Sequence, residues 1–162
     1  MRLRTEIEPR IDIAKEHYQT ILDYVTGYES YVDEKGDENN EEYKRIEAKI
    51  QDITGKDTSR YNLWETWEAE GPEVLSFRIS LPDPNKITDL TREELLEIIR
   101  RTRDFDVSKI DNDSFESNFI YYLDDYYHSF LKLNCKNYNY NYFIRQKDGS
   151  TLTNDEIVNK LT

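Results

Sequence analysis

The spacing of apolar residues is helical from the start of the chain to Gly55. Apolar residues recur there every three or four positions, which places them on one face of a helix. The first stripe runs from about Pro9 to Val32 and consists of Ile11, Ala14, Tyr18, Ile21, Val25, Tyr28 and Val32. The second begins after an N-cap at Asn39 or Asn40 and ends at Gly55. It consists of Tyr43, Ile46, Ile50 and Ile53. Because only a short polar segment separates the stripes, they predict an antiparallel helix pair.

Beyond Gly55 the period of the pattern changes from helical to alternating. Leu75, Phe77, Ile79 and Leu81 alternate with polar residues, which predicts a half-buried strand. Residues 61–72 are predicted to be its hairpin partner, with the alternative of a short helix that carries Trp64 and Trp67. A further strand is predicted over Tyr138–Gln146, in which Tyr140, Tyr142 and Ile144 alternate with Asn and Arg. These strands indicate a small antiparallel sheet.

Three further segments open with a capping-box pattern, in which a Thr or Asp is followed three residues later by Glu. The pairs are Thr91–Glu94, Asp113–Glu116 and Thr153–Glu156. Each precedes an apolar stripe with helical spacing: Leu95, Ile98, Ile99 and Thr102; then Phe115, Phe119, Tyr122, Leu123, Tyr126, Phe130 and Leu133; then Ile157, Val158 and Leu161. The prediction is a single α+β domain over residues 1–162, with an N-terminal antiparallel helix pair, a small antiparallel sheet and further amphipathic helices.

Composition decides whether this chain folds at all. Charged residues make up 35% of it and hydrophobic residues only 36%, which approaches the composition of disordered chains. Aromatic residues make up 13%, however, and disordered chains are poor in them. Because large rings bury much area each, we expect a folded protein.

The net charge of −12 restricts the kind of partner. A strongly negative surface repels nucleic-acid phosphates and anionic lipid headgroups, and it attracts cationic proteins. We therefore expect a basic protein partner, no nucleic acid and no membrane. The N-terminal residues lack the apolar segment of a signal peptide, and Cys135 has no second cysteine with which to form a disulfide. These features predict a cytoplasmic protein.

No motif for catalysis, for a metal or for a cofactor can be assembled from this sequence. All five glycines are isolated, which excludes the glycine-rich phosphate loops. His17 and His128 lie far apart, so no zinc-ligand spacing exists. The acidic run at Asp111–Glu116 lacks the central glycine of a calcium loop, and helix capping by Asp113 explains it. We expect no cofactor and no enzymatic activity, although an unrecognised carboxylate site stays open.

Two surfaces have a composition suited to partner binding. On the predicted fourth helix, which opens at Asp113–Glu116, the side opposite the Phe stripe carries Tyr121, Asp124, Asp125 and His128. Tyrosine beside carboxylates is suited to contacts with Arg or Lys. The alternative is a solvated face on which Asp124 and His128 pair as helical neighbours. The second surface is the segment with Trp64, Glu65 and Glu68.

In profile the chain resembles bacterial toxin-immunity proteins. It shares with them a compact size, acidity, abundant Tyr, Asp and Asn, and the lack of active-site motifs. The resemblance implies a small protein that masks or inhibits a basic partner such as a toxin, including a nuclease. The alternatives are a phage-type inhibitor that mimics nucleic acid and an enzyme with an unfamiliar carboxylate site.

Overall fold

The regular secondary structure of the described part of the chain is entirely helical. The computed structural model describes residues 1–64, 66–103 and 113–162, without the side chain of Trp67. The helices are α1 (Ile11–Lys35), α2 (Glu41–Thr54), α3 (Thr66–Ala69), α4 (Pro72–Ser80), α5 (Arg92–Arg103), α6 (Phe115–Phe119), α7 (Leu123–Asn134) and α8 (Asn154–Leu161). Short 3-10 turns occupy Thr58–Arg60, Ile120–Tyr122 and Tyr140–Tyr142. Since none of the three predicted strands forms a strand in the part of the chain that the structure describes, the α+β prediction with an antiparallel sheet is wrong.

The chain forms two compact units. Residues 10–82 make up one, which we call the inserted unit; residues 1–9 and 83–162 make up the other, the flanking unit. In the inserted unit α1 packs against α2 and α4, and in the flanking unit α5 packs against α7 and α8. The single domain stays a prediction.

The two N-terminal helices form where the apolar stripes predict them. Helix α1 buries Ala14, Ile21, Val25 and Tyr28. The last three of these form one core cluster with Ile46 and Ile50, which α2 buries. Gly55 ends α2 at a φ of 68°, a conformation that glycine adopts without a Cβ penalty. Here the local pattern and the packing agree.

Helix α4 replaces the strand predicted at residues 75–81. Gly71 and Pro72 start it, and Pro72 suits a first helical turn because its missing N–H has no partner there in any helix. The alternating serines do not face solvent: both are buried, and each hydroxyl donates to the carbonyl four residues earlier, Ser76 to Pro72 at 2.6 Å and Ser80 to Ser76 at 2.7 Å. A helix that is buried on nearly all sides has no polar stripe, so its period cannot be read from the sequence.

The segment before α4 is not a hairpin strand either. Residues 66–69 form the short helix α3, so the preferred hairpin is wrong. The alternative helix holds for Trp67, which lies in α3, but Trp64 precedes the helix. Two hydrogen bonds to Glu29 of α1, from the backbone N–H and the hydroxyl of Thr66, fix the start of α3.

The tyrosine-rich segment at 138–146 forms turns rather than a strand. The side chain of Asn139 accepts a hydrogen bond from the N–H of Asn141 at 2.9 Å, which closes the 3-10 turn at Tyr140–Tyr142. The N–H of Gln146 bonds the carbonyl of Ser150 at 2.8 Å, and a second turn lies between these two residues. Because the side chain of Asn139 bonds the backbone two residues further on, the alternation of Tyr and Asn does not produce a strand here.

The helices of the flanking unit confirm two of the three capping boxes. Thr153 and Glu156 cap α8 reciprocally, and Thr91 and Glu94 do the same for α5, with N–H to side-chain distances of 2.9 and 3.2 Å. At the third box the cap is Ser114, which accepts from the N–H of Ser117 at 3.1 Å, rather than Asp113.

The predicted fourth helix is interrupted, and its buried face differs from the prediction. It consists of α6, the 3-10 turn at Ile120–Tyr122 and α7. A 3-10 turn rotates about 20° more per residue than an α-helix, so the stripe changes phase across it. Leu133, predicted to be buried, is 45% exposed, whereas Tyr127 and Leu131 are buried in its place.

Buried carboxylates of the flanking unit are paired with arginines. Glu97 of α5, 7% exposed, accepts hydrogen bonds from Arg100 at 2.8 Å and from Arg101 at 2.9 Å. Arg101 also donates to Glu8 at 2.7 Å and to the Tyr127 hydroxyl at 2.8 Å. The hydrogen bonds from Arg100 and Arg101 outweigh desolvation and hold the pKa of Glu97 at about 2. These acids stabilise the fold.

The pKa of Glu97 makes the stability of the protein depend on pH. Because this pKa lies below the ordinary value of 4.5, the carboxylate stabilises the fold above that pH, and the contribution is lost as the pH falls towards about 2. We expect wild type to melt above Glu97→Gln at neutral pH, with a difference that shrinks over this acidic range. Glu93→Gln, which removes an exposed carboxylate of the same helix, should lower the neutral-pH midpoint less. A difference for Glu97→Gln that stays constant into acid would contradict the assignment.

Candidate partner-binding surface

The structure places the four predicted residues of the fourth helix in different environments. Tyr121 lies in the 3-10 turn before α7 and is 62% exposed. Asp124 and Asp125 lie in the first turn of α7, where a negative charge favours the helix dipole. Asp125 is exposed and Asp124 is half-buried. Both acids therefore have a role in the helix itself as well as on its surface.

His128 packs into an aromatic cluster that the sequence did not predict. Its ring centroid lies 4.7 Å from that of Phe143 and 5.1 Å from that of Tyr140. Its Nδ1 lies 3.0 Å from the hydroxyl oxygen of Tyr138. Burial lowers the pKa of His128, against the opposing effect of Asp124 and Asp125. The strand prediction hid this cluster, since in a strand Tyr138 and Tyr140 would share one face without folding back onto α7.

The second predicted surface contains an exposed tryptophan. Trp64 is 38% exposed and lies just before α3, and Glu68 is exposed in the first turn of α3. Glu65 lies outside the described residues. The ring of Trp64 meets that of Tyr28 edge to face, with centroids 6.1 Å apart. The predicted surface is thus connected to the core of the inserted unit.

Trp64 forms one wall of a pocket in the inserted unit. The pocket has a volume of about 370 Å³ and opens to solvent. It is lined by Tyr28, Asn40, Tyr43, Lys44, Glu47, Asn62 and Trp64, and we call it the aromatic pocket. The rings of Tyr28 and Tyr43 meet edge to face, with centroids 5.2 Å apart. The sequence assigned both tyrosines to the core stripe and gave no sign that a tryptophan from residues 61–72 would lie beside them.

Hydrogen bonds hold the walls of the aromatic pocket in place. The side chain of Asn62 accepts from the N–H of Trp64 at 2.9 Å, and the N–H of Leu63 donates to the Tyr43 hydroxyl at 3.2 Å. The Tyr28 hydroxyl donates to Asp37 at 3.2 Å. Burial, together with this bond to Asp37, raises the pKa of Tyr28 to about 12, so the phenol stays neutral. These hydrogen bonds connect residues that line the pocket to the surrounding chain.

The turn between α1 and α2, together with the helix ends on either side of it, is densely acidic. From Glu29 to Glu42 the chain carries seven acidic residues and one cation, Lys35. Asp37 accepts hydrogen bonds from the N–H groups of Glu42 and Tyr43, which cap α2 and outweigh desolvation, so that its pKa is lowered. Four others are exposed and have no ion pair within the described part of the chain: Asp33, Glu34, Glu38 and Glu41. We call these four the acidic turn.

Charge is distributed unevenly between the two units. The inserted unit has 17 acidic residues against nine Lys and Arg, a net charge of −8, whereas the flanking unit has 17 against 13, a net charge of −4. In the flanking unit many carboxylates pair with arginines, as Glu94 does with Arg4 at 2.6 Å. The excess of negative charge is thus twice as large in the inserted unit as in the flanking unit.

The described residues show little that favours covalent or metal chemistry. Each carboxyl group there with a clearly shifted pKa is shifted downward, the opposite of a general acid; examples are Asp12 and Glu97. Burial raises the pKa of the Cys135 thiol, which disfavours the nucleophilic thiolate. Over residues 1–64, 66–103 and 113–162 no group of His, Cys, Asp and Glu side chains is arranged to hold a metal ion.

Comparison with known proteins returns no match, whether to a family model, to a curated protein or to a solved structure. Within the described residues, none of the helices combines the length and the apolar composition that crossing a membrane requires. A proposal about function therefore rests on the geometry and the charge of the chain itself.

Proposed function

We propose that this protein is a small acidic binding protein that docks on a basic partner protein and masks its surface, as an immunity protein masks a toxin or a nuclease. The observation that supports this most directly is the acidic turn, whose four exposed carboxylates have no ion pair within the described residues. Exposed charges of one sign raise the association rate with an oppositely charged protein and suppress binding to other partners.

Glu41 of the acidic turn lies in the first turn of α2, where its charge suits the helix dipole, but the other three carboxylates have no such position. Glu42 is paired with Arg45, and Asp37 caps α2, but the carboxylates of Asp33, Glu34 and Glu38 contact no cation within the described residues. Like charges at this density repel one another and destabilise the free protein slightly. A cationic partner would remove that repulsion on binding.

Charge reversal on the acidic turn tests the proposal. The partner is first captured from the source cells on the immobilised full chain, identified and purified, and its association is measured against rising salt. For Glu34→Lys with Glu38→Lys we expect an association rate at least about tenfold lower at low salt, and a weaker salt dependence, because exposed charges act over a Debye length of about 10 Å. The melt should stay within about 1 kcal/mol of wild type.

A matched control separates local contact from net charge. Glu16→Lys with Asp52→Lys makes the same change in net charge at exposed positions of α1 and α2. Asp124→Lys with Asp125→Lys makes it on α7, the surface that the sequence favours. An association rate that falls equally in all three double variants would assign binding to net charge alone and remove the acidic turn as a contact. A partner without excess positive charge would contradict the proposed function.

A further inference from the structure

The aromatic pocket lies beside the core cluster of the inserted unit and opens to solvent. The rings of Tyr28 and Tyr43 already pack in the core cluster, yet Trp64 stands at its edge with 38% of its surface exposed. Large aromatic side chains at such positions are enriched in the energetically dominant parts of interfaces. The chemistry of the surrounding residues indicates which chemical group the pocket would bind.

In the inserted unit, cationic side chains of the chain itself lie over aromatic rings. Lys35 lies 5.4 Å from the centroid of Tyr31, and Arg60 lies 5.1 Å from that of Tyr61. Both distances are within the range of about 6 Å over which a cation is attracted to an aromatic face. No such cation covers Trp64, Tyr28 or Tyr43 among the described residues. Tryptophan is the strongest of the aromatic side chains for this contact.

Charge near the pocket is also suited to a cation. Glu47 lines it, and this carboxylate has only a long contact of 3.5 Å from the Thr58 hydroxyl. Asn40, which lines the pocket as well, belongs to the turn that carries Glu38 and Glu41. Among the described residues that line the pocket, Lys44 alone carries a charge that disfavours a cation. Three fixed rings, a weakly engaged carboxylate and the adjoining acidic turn favour a planar cation, which stacks on rings and binds a carboxylate through two N–H groups.

We propose that the aromatic pocket receives an arginine side chain of the basic partner, whose guanidinium contacts the ring of Trp64 and pairs with Glu47. This inference rests on the proposed function and deepens it, since the acidic turn attracts the partner and the pocket retains it. The volume of about 370 Å³ is at the low end of the range of about 300–1,000 Å³ for ligand clefts, so the pocket has room for one long side chain. An interface with such an anchor loses affinity through faster dissociation when the anchor is removed.

The test uses the isolated full chain and a tripeptide, acetyl-Gly-Arg-Gly-amide, with the citrulline peptide as its uncharged near-isostere. Binding is followed by the NMR shifts of the Trp64 indole and of the backbone amides of Tyr43 and Lys44 at millimolar peptide. We expect the arginine peptide to bind at least about tenfold more tightly than the citrulline peptide. Trp64→Ala should abolish the shifts, and Glu47→Gln should weaken binding several-fold.

A pair of lysine variants distinguishes a cationic occupant from any other. Lys44→Gln and Lys49→Gln change the net charge equally, but only Lys44 lines the pocket, and both side chains are exposed. We expect Lys44→Gln to tighten binding of the arginine peptide several-fold and Lys49→Gln to change it little. These exposed variants keep the test decisive even if Trp64→Ala does not fold.

Several results would overturn the inference. Equal binding of the arginine and citrulline peptides would indicate a neutral occupant such as a sugar or an apolar group. Weaker binding in Lys44→Gln, or tighter binding of a glutamate peptide, would indicate an anionic one. The absence of any shift at the pocket would remove the site altogether. In each case the proposed function keeps its separate test, because charge reversal on the acidic turn is measured with the basic partner and not with the peptides.

Discussion

Replacing Arg101 by methionine should lower the free energy of unfolding by about 3 kcal/mol, because it leaves Glu8 without its cation and removes one of the two arginines that bond the buried Glu97. The guanidinium bonds Glu8 at 2.7 Å, Glu97 at 2.9 Å and the Tyr127 hydroxyl at 2.8 Å, and these contacts join residues 1–9 to α5 and α7 within the flanking unit. The side chain of Arg101 is 21% exposed and that of Glu97 only 7%. Water therefore replaces the lost contacts poorly. Urea unfolding followed by circular dichroism measures the change.

The control is an arginine whose ion pair is exposed at both ends. Arg92 pairs with Asp155 at 2.7 Å, but the two side chains are 45% and 69% exposed. Since exposed pairs contribute about 0–1 kcal/mol, Arg92→Met should be nearly neutral. A double-mutant cycle of Arg101→Met with Glu8→Gln should show a coupling of at least about 1 kcal/mol. If Arg101→Met unfolds at the same urea concentration as Arg92→Met, the network is not what holds residues 1–9.

Replacing Lys56 by methionine should cost about 3 kcal/mol and destabilise the C-terminal end of α4. The side chain is 7% exposed, and its Nζ donates to the carbonyls of Arg78 at 2.9 Å and of Leu81. A buried acceptor left without a donor costs about 1–3 kcal/mol, and methionine removes the donor while both carbonyls remain. The burial of a cation is relieved at the same time, so the two effects partly offset each other.

Lys49→Met is the matched control, because Lys49 is exposed on α2. Its effect should lie within about 0.5 kcal/mol. The Lys56 result also tests the helical assignment of residues 72–80. In a strand the carbonyls of residues 78 and 81 would point to opposite sides, whereas at the end of a helix they point the same way and one ammonium group reaches both. Equal stability of the two variants would argue against this arrangement.

The aromatic pocket was only half visible in the sequence. Trp64 stood out as a large ring beside carboxylates, and Tyr28 and Tyr43 were correctly placed on buried stripes. Their proximity arises because the chain folds back over α1 and α2, where Asn62 and Leu63 bond Trp64 and Tyr43. Contacts between residues of different elements, such as the hydrogen bond from Leu63 to Tyr43, leave no periodic signal in the sequence. His128 illustrates the same point, since its partners Tyr138 and Tyr140 come from a segment that was predicted to be a strand.

The sequence by itself determined those helices whose signals are local. An apolar stripe with a cap or a glycine stop identified α1, α2, α5 and α8, because helical hydrogen bonds join near neighbours and one-sided burial imposes the period. It also determined the net charge of −12, from which we predict a cationic partner.

The tertiary structure alone decided α4, residues 138–146 and the surface open to a partner. Ser76 and Ser80 look like solvent-facing positions until their hydroxyls are seen to bond the carbonyls of their own helix inside the core. Whether a carboxylate pairs with an arginine depends on contacts between residues far apart in the chain. Arg101, for example, bonds Glu8, which lies ninety-three positions away. The chemical type of a residue is given by the sequence, but its burial and its contact partners are properties of the folded chain. For this reason the sequence alone could not decide between strand and helix, or between paired and unpaired charge.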